Sequence, residues 1–383
     1  MRIIKGMVYT DRLCFEPGEI AIEGERIASV ERCGADNLTQ KEAQTHILPG
    51  LVDIHFHGCA GYDFCDGTAG AVRAIASYEI THGTTTICPA TMTLPEERLL
   101  EICAAGADAA ETEVLAEGIP LKDIMRGIYL EGPFISAEKK GAQNAAYLHK
   151  PDLAMLKRLQ EAAKGMIRMA AVAPEEEGAM ELIREGVGMF RFSIAHTCAD
   201  YETAKAAMEA GVHHVTHLYN AMPPFTHRNP GVIGAAAENE ETRVELICDG
   251  IHIHPCVVKS TFKLFGAERM VLISDSMMAA GMEDGEYALG GQPVTVRGNL
   301  ALLKDGTIAG SATNLYDCMR TAIRMGVPKE EAVRAATVNP AQAVGLASEC
   351  GVLLPGRRAD ILLADGAFSL LEVIKSGRVV KDA

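Results

Sequence analysis

Short apolar segments alternate with longer segments rich in Ala, Glu, Leu and Lys between residues 50 and 275. This alternation is typical of parallel strands joined by helices, because such strands are buried on both faces and are therefore almost wholly apolar. The predicted strands are 50–57, 84–91, 126–132, 166–173, 190–196, 214–219, 243–249 and 270–275. The predicted helices are 68–81, 96–116, 151–164, 177–186 and 200–210. Eight strands in this order predict an α/β fold with a TIM-like (β/α)8 barrel.

An open, doubly wound sheet is the alternative to the barrel. That fold gains support when a G-x-G-x-x-G motif follows a strand and opens a helix. The sequence has no such motif in that position. The barrel is therefore favoured.

Both ends of the chain also have strand patterns. Near the start, 20–22 and 26–30 flank a Glu-Gly-Glu turn, and near the end 371–375 and 378–380 flank a Ser-Gly turn. Apolar runs on either side of such turns predict β-hairpins. We therefore expect a smaller β-rich unit, with boundaries near Pro49-Gly50 and Pro355-Gly356.

The cysteine pattern and the first residues predict a cytoplasmic protein. The chain has 11 cysteines without a C-x-x-C pair, and Met1–Gly6 lacks the apolar segment of a signal peptide. Cys59, Cys65 and Cys198 are expected to pack as small apolar side chains.

A net charge of −15 without a basic stripe argues against a nucleic-acid partner. No apolar run reaches the 18 residues expected of a membrane span, so no membrane partner is expected either.

Potential metal ligands lie at the ends of five predicted strands. They are His55, His57, Glu131, His196, His217 and Asp275. Residues two apart in an extended strand point to the same face, so the first two histidines are expected to act together. In barrel enzymes, functional residues gather at the carboxyl ends of the strands. Imidazoles and carboxylates without thiolates suit zinc, iron, manganese or cobalt, and such a metal would favour hydrolysis of an amide.

Each candidate ligand also has a purely structural interpretation. Glu131 could be a solvated turn residue, Asp275 a helix cap, and His196 a buried core histidine. Five strand ends with such residues on one barrel face favour the metal site over these separate explanations. Other polar residues fall in loops or helices and are predicted to be structural: His46, His82, His149, His213 and Asp123.

Six stretches of the sequence point to a known family. They are Leu51–Gly58, Leu130–Phe134, Thr216–Met222, Asp249–His252, Ser274–Met277 and Asn339–Ala341. On these stretches the chain resembles the amidohydrolase superfamily and, within it, the N-acetylglucosamine-6-phosphate deacetylases over essentially its full length. The run His217–Met222, followed by His227–Gly231, is the part most specific to these deacetylases.

The resemblance implies a domain arrangement and a metal centre. A barrel over 50–345 would be the catalytic domain, and both chain ends, 1–49 and 346–383, would form a small β-sandwich domain. One or two divalent metal ions, zinc or iron, would be bound. Glu131, His196 and His217 would hold one ion, and His55, His57 and Asp275 would hold a second. Asp275 would also act as general base on the attacking water and then pass the proton to the departing amine.

The resemblance also implies a substrate and a homodimer. The acetamide of N-acetyl-D-glucosamine 6-phosphate would be hydrolysed to D-glucosamine 6-phosphate and acetate. The Asn220 and Ala221 amides, Arg228 and His252 would contact the sugar phosphate, with the phosphate site completed across the dimer interface. Gln143 stands where some family members have a histidine that polarises the acetyl group. A glutamine amide donates hydrogen bonds without carrying charge, so it either leaves polarisation to the metals or orients the acetyl group.

Three alternatives remain open at the level of sequence. Nothing in the sequence reads the configuration at sugar C4, so N-acetylgalactosamine 6-phosphate is a second substrate candidate. A cyclic-amide hydrolase of the dihydroorotase kind usually has a lysine that bridges two metals, where this chain offers Glu131. A non-catalytic scaffold would be expected to have lost ligands, whereas all six are present.

Overall fold

The computed structural model describes residues 1–381. Its strands, in chain order, are β1 (Arg2–Tyr9), β2 (Phe15–Glu23), β3 (Arg26–Arg32), β4 (His46–Pro49), β5 (Leu51–Asp53), β6 (Gly58–Cys59), β7 (Tyr62–Asp63), β8 (Thr84–Ile87), β9 (Ile128–Leu130), β10 (Ile167–Val172), β11 (Phe192–Ile194), β12 (His214–Val215), β13 (Arg243–Ile247), β14 (Met270–Ile273), β15 (Gly285–Leu289), β16 (Gln292–Arg297), β17 (Leu300–Leu303), β18 (Ile361–Ala364), β19 (Leu370–Lys375) and β20 (Arg378–Lys381).

The α-helices connect most of the parallel strands. In chain order they are α1 (Gln40–Ala43), α2 (Ala69–Thr81), α3 (Glu96–Thr112), α4 (Leu153–Ala162), α5 (Ala179–Gly186), α6 (Tyr201–Glu209), α7 (Gly231–Glu238), α8 (Pro255–Phe265), α9 (Leu315–Arg324), α10 (Lys329–Ala336) and α11 (Val338–Ala343). Several begin at a capping side chain that accepts a backbone N–H of the first turn, as Thr68, Asp152, Asp200 and Asn314 do. The five predicted helices are confirmed as α2 to α6.

The eight predicted parallel strands form a ring in chain order. Strands β9 to β14 make one parallel sheet, and β5 pairs in parallel with β8. Backbone bonds join the two groups at both edges, from Ile87 N to Ile124 O at 2.8 Å and from Asp275 N to His55 O at 3.0 Å. Since a doubly wound sheet reverses its strand order at the centre, this uninterrupted order confirms the barrel and excludes the open sheet.

Strands from both ends of the chain form a second sheet beside the barrel. Its order is β20-β19-β18-β4-β1-β2-β3. Both predicted hairpins are present, β2 with β3 and β19 with β20. The sheet has its own apolar cluster, separate from the barrel core, which includes Ile20, Ile47, Ile361 and Ile374. The last two residues of the predicted small domain, 382 and 383, lie outside the described range.

A third sheet was not predicted from the sequence. Strands β15, β16 and β17 form an antiparallel meander directly after the last barrel strand. In β16, buried Val294 and Val296 alternate with exposed Thr295 and Arg297, which is the period-two signal of a half-buried strand. The meander has a core of its own and lies over the carboxyl end of the barrel, where Leu289 faces the cavity described below.

The packing of the cysteines can be compared with the expectation from the sequence. All 11 cysteines in residues 1–381 are unpaired. Cys59 is fully buried in the barrel core, as expected of a small apolar side chain, and Cys65 and Cys198 are half-buried. Within the same residues, no helix has both the length and the apolar character required to cross a membrane.

A buried ion pair stabilises the second sheet. Lys375 Nζ lies 2.6 Å from Asp360 Oδ2, and the lysine side chain is fully buried. Lys375→Met should lower the free energy of unfolding by about 3–5 kcal/mol, because it leaves a carboxylate buried without its counter-charge. Arg2→Met, which breaks the exposed pair with Glu372, is the control and should change it by less than about 1 kcal/mol. Urea unfolding of both variants compares the two effects, and equal losses would contradict the expectation.

Candidate metal centre

The six predicted ligands meet at the carboxyl end of the barrel. Each lies just beyond the end of a short apolar strand: β5, β9, β11, β12 or β14. All six are buried: His55, His57, Glu131, His196, His217 and Asp275. Three of them turn sharply out of their strands, since His196, His217 and Asp275 have φ of 42°, 26° and 47°. This left-handed backbone directs consecutive strand ends towards one point, and it is uncommon for residues other than glycine.

The ligand atoms form two groups that share Glu131. In the first, Glu131 Oε1 lies 3.0 Å from both His196 Nε2 and His217 Nε2, which are 3.1 Å apart. In the second, Glu131 Oε2 lies 3.2 Å from His57 Nε2, and Glu131 Oε1 lies 3.4 Å from His55 Nε2. Asp275 Oδ1 joins the second group, 3.4 Å from His57 Nε2. The geometry thus gives two groups of possible ligands, and Asp275, which was predicted for the second set, lies beside that group.

The donor set fits divalent metal ions. Ligands about 2.0–2.1 Å from a tetrahedral zinc ion lie roughly 3.3 Å from one another, close to the spacings in both groups. His55 Nε2 is buried without a hydrogen-bond partner among the described residues. The other nitrogen of this ring, Nδ1, donates to Glu245 Oε2 at 2.9 Å, which leaves the Nε2 lone pair for a cation. In the same way, His196 Nδ1 donates to the Lys139 carbonyl at 2.9 Å, so Nε2 is the ring nitrogen that faces the site and can bind a cation once it is deprotonated.

The carboxylates of the site are held in the ionised form. Burial alone would raise the pKa of Glu131, but the charge of His55 and hydrogen bonds from His196 and His217 outweigh it and hold that pKa well below its usual value. Burial is likewise outweighed at Asp275, whose pKa is lowered chiefly by His57. Two ionised carboxylates among four imidazoles suit a cation, which binds as the imidazole protons leave.

Glu245 supports the ligands from behind and was not predicted as a functional residue. It is fully buried in β13 and accepts hydrogen bonds from His55 Nδ1, from His214 Nε2 at 2.8 Å and from the His217 backbone at 3.2 Å. Burial would raise its pKa, but the charge of His55 and these hydrogen bonds lower it to about 2. A charged residue between Val244 and Leu246 in an apolar barrel strand is the signal that could have identified it.

Glu245→Gln should weaken metal binding by about 10–100-fold, because it removes the charge that orients His55 and fixes which ring nitrogen is free. Glu79→Gln is a matched control at another fully buried glutamate. Burial raises the pKa of Glu79 to about 8, so an uncharged amide there changes little. Competition with a chelator measures the affinity of each variant. Similar affinities in the two variants would show that Glu245 does not position the ligands.

A cavity of about 520 Å³ opens directly onto the ligands and includes most of the predicted substrate-binding residues. Asn220, Ala221 and His252 line it. His252 Nδ1 donates to Asp249 Oδ2 at 2.7 Å, which fixes the ring at the wall of the cavity. Gln143 is also at the wall, where its Nε2 donates to Glu131 Oε2 at 2.6 Å and its Oε1 accepts the Thr93 N–H at 2.6 Å. The side-chain N–H of Gln143 therefore binds Glu131, which is itself a predicted metal ligand.

Among the predicted substrate-binding residues, Arg228 alone does not line this cavity. It is exposed, on a segment between β12 and α7, and lines a separate surface cavity together with Asp200 and Tyr201. The apolar side chain of Phe225, on the same segment, is 51% exposed. The described chain thus brings together every predicted ligand and four of the five predicted substrate contacts.

The residues predicted to be structural lie outside the metal site. His46 packs against Phe15 and Phe368, and Asp123 forms an ion pair with Arg358 at 2.7 Å. The remaining three histidines, His82, His149 and His213, do not line the cavity of the metal site.

The chain is similar to known enzymes over most of its length. A family model described as "Amidohydrolase family" matches residues 46–380. N-acetylglucosamine-6-phosphate deacetylase of Bacillus subtilis (strain 168) is 34% identical over 378 residues, which cover 97% of this chain and 95% of that protein. N-acetylgalactosamine-6-phosphate deacetylase of Escherichia coli O157:H7 is 31% identical over 352 residues, which cover 90% of this chain and 89% of that protein.

A solved structure is similar in the same way. It is a mutant N-acetyl-D-glucosamine-6-phosphate deacetylase of Mycobacterium smegmatis, in complex with N-acetyl-D-glucosamine-6-phosphate. It superposes with a TM-score of 0.90 at 31% identity, and the match covers 99% of this chain and 98% of that one.

Proposed function

The chain belongs to the amidohydrolase family, and we propose that it hydrolyses N-acetyl-D-glucosamine 6-phosphate to D-glucosamine 6-phosphate and acetate. The observation that carries this proposal is the pair of ligand groups that share Glu131 and open onto one cavity. The similarity of the whole chain to deacetylases of this sugar phosphate supports the substrate. The full set of ligands argues against a non-catalytic scaffold.

The proposed cofactor is two divalent metal ions per chain, zinc or iron. Glu131, His196 and His217 would hold one ion, and His55, His57 and Asp275 the other, with Glu131 shared between them. Imidazole and carboxylate donors suit both metals. Bound there, a metal ion supplies Lewis acidity, which acidifies water and polarises the acetyl carbonyl.

Asp275 is proposed as the catalytic base and acid. Its carboxylate is ionised, lies at the wall of the cavity and faces His57. It would take a proton from the attacking water and deliver that proton to the amine nitrogen as the carbon–nitrogen bond breaks, so one carboxylate serves both steps. Gln143 holds Glu131 in place and lies close enough to the cavity wall to orient the acetyl group.

The phosphate site is proposed to be completed in a homodimer. The Asn220 and Ala221 amides and His252 would contribute from the chain whose cavity they line. Arg228 is exposed beside Phe225, which supports a role across an interface with a second copy. Sedimentation of the enzyme should then give twice the chain mass of 40.9 kDa. A monomer at assay concentration would rule this arrangement out.

Arg228→Ala should raise KM for the phosphorylated sugar by about 10–100-fold, because a charge-assisted hydrogen bond to phosphate is lost. Turnover of unphosphorylated N-acetylglucosamine should not change. Arg12→Ala, at an exposed arginine of the small sheet, is the control. Steady-state kinetics on both sugars compare the variants. An equal loss with and without the phosphate would argue against the contact.

The function is tested by assaying four sugars with metal content measured on the same sample. The sugars are N-acetylglucosamine and N-acetylgalactosamine, each with and without the 6-phosphate. We expect the gluco 6-phosphate to be the best substrate. The relative from Escherichia coli O157:H7 makes the galacto 6-phosphate the second candidate. Release of acetate from none of the four by metal-loaded enzyme would refute the deacetylase function.

The proposed domains are a catalytic barrel over 50–345 and a small β-sandwich built from 1–49 and 346–383. The separate apolar cluster of the terminal strands supports this division, and β4 connects strands from the two ends. Hydrogen exchange tests this division, since β1 and β18 should then exchange as one unit.

A cytoplasmic location is proposed from the eleven unpaired cysteines of the described residues, and cell fractionation tests this location.

A further inference from the structure

A second cavity lies at the opposite end of the barrel from the metal ligands. It has a volume of about 390 Å³ and is lined by residues at the amino ends of the strands, including Arg191, His214 and Arg243. We call it the amino-end cavity. This end of a TIM-like barrel normally serves stability alone, whereas the carboxyl end carries the active site. An open cavity lined with cations at this end therefore needs a separate explanation.

The two arginines of the amino-end cavity lack carboxylate partners. Within residues 1–381, neither Arg191 nor Arg243 has a carboxylate oxygen within ion-pair distance. Arg191 is exposed and makes no side-chain hydrogen bond in that part of the chain. Arg243 Nη2 donates to Gln342 Oε1 at 2.9 Å, and its Nε is buried without a described partner. In a chain of net charge −15, two unpaired guanidinium groups on one cavity are unusual.

Further details of the cavity also favour an anion. No carboxylate lines it, and the two acidic side chains next to it contact its histidines: Glu245 Oε1 lies 2.8 Å from His214 Nε2, and Glu241 Oε2 lies 3.6 Å from His213 Nε2. The guanidinium of Arg191 lies against Gly345, where an added Cβ would be 2.4 Å from Nη2. Burial and the charge of Arg334 lower the pKa of Arg243, so an anion nearby would relieve an uncompensated charge. Apolar side chains, Met189 and Phe190 among them, cover another wall.

We propose that the amino-end cavity binds a small phosphorylated anion, whose phosphoryl oxygens are held by Arg191 and Arg243. Guanidinium groups match phosphate with two parallel hydrogen bonds, and they do so better than ammonium groups. The apolar wall accommodates an organic group attached to the phosphate. This site is separate from the proposed deacetylase site and goes beyond that function.

The amino-end cavity is connected to the metal centre by hydrogen bonds. His214, which is buried at its wall, donates from Nε2 to Glu245 Oε1 at 2.8 Å. The other carboxylate oxygen of Glu245 accepts from His55 Nδ1. A ligand that contacts His214 is therefore two hydrogen bonds away from a metal ligand.

Calorimetric titration of the metal-loaded enzyme with inorganic phosphate, and separately with AMP, tests the site. Arg191→Ala should weaken binding of at least one probe by about tenfold, as expected for a lost hydrogen bond to a charged group. Arg12→Ala should bind both probes like the wild type. Phosphate that binds in the catalytic cavity contributes equally to the wild type and to both variants. The difference in affinity between the wild type and Arg191→Ala therefore reports on the amino-end cavity. AMP binding more tightly than phosphate would identify an organic ligand, and the reverse order would identify the inorganic ion.

The proposal is wrong if neither probe binds, or if both bind equally well to wild type and to Arg191→Ala. Because Arg191 is exposed and makes no side-chain hydrogen bond among the described residues, its removal should leave the fold intact. Its kcat and KM for the sugar phosphate in phosphate-free buffer should match those of the wild type. The binding measurement needs no turnover, so its failure would leave the proposed deacetylase function untouched.

Discussion

Asp275→Asn should lower kcat by about 10²–10⁴-fold, the range expected when a general base and acid is lost. The amide has nearly the shape of the carboxylate but cannot accept the proton of the attacking water. KM for the sugar phosphate should stay within a few-fold, because the Asn220, Ala221 and His252 side of the cavity is unchanged. Single-turnover kinetics, with substrate binding measured separately, distinguish the two effects.

Two checks separate a chemical role of Asp275 from a structural one. Asp200→Asn makes the same chemical change at an exposed helix cap, and its kcat should remain close to that of the wild type. Metal content of Asp275→Asn should be measured on the assayed sample, since this residue also belongs to the second ligand group. Turnover within a few-fold of the wild type would mean that another group moves the proton.

Glu131→Gln should remove most of the bound metal and, with it, most of the activity. Among the described residues, Glu131 alone belongs to both groups of possible ligands, and its two oxygens contact His57, His196 and His217. Glutamine at this position lacks the negative charge that would offset a metal ion bound by either group. We expect fewer than one metal per chain after dialysis and a fall in kcat/KM of at least about 10³-fold, since a bound metal would acidify the attacking water and polarise the carbonyl.

Elemental analysis and circular dichroism on the same samples test this expectation. Glu175→Gln is a matched control, because Glu175 follows a neighbouring strand and bonds Thr197 without joining a ligand group. His57→Ala should remove one ion and spare the other, since His57 belongs to the second group alone. A Glu131→Gln variant that keeps its full metal content would contradict the shared-ligand arrangement.

The barrel could be predicted because its strands carry a strong local signal. Val271, Leu272 and Ile273, for example, are all fully buried, and a continuous apolar run of this kind is read directly from sequence. The meeting of the six candidate ligands at one end of the barrel could be predicted because each stands just past such a run. The meander β15–β17 was not predicted, although β16 alternates and the Gly290-Gly291 pair between β15 and β16 is typical of a hairpin turn. Its local signal is therefore present in the sequence, but the barrel pattern does not require these strands.

Contacts between distant parts of the chain could not be predicted. Glu245 reaches His55 across 190 positions, and Gln143 reaches Glu131 from a loop without regular structure. The place of Arg228 outside the cavity could not be predicted either, because it depends on how a loop lies on the surface. Sequence patterns report which way a side chain faces within its own strand or helix. They do not report which side chain of another element it meets.

The left-handed backbone at His196, His217 and Asp275 has a consequence for the stability of the protein. Each such conformation costs on the order of 1–3 kcal/mol in a residue other than glycine, so a glycine at any of the three would relieve strain. It would also remove a predicted metal ligand. Stability and metal binding therefore make opposite demands on these three positions, and the chain has the residue that serves the metal. Positive φ alone does not identify the site, since Ser376, directly after β19, has it as well.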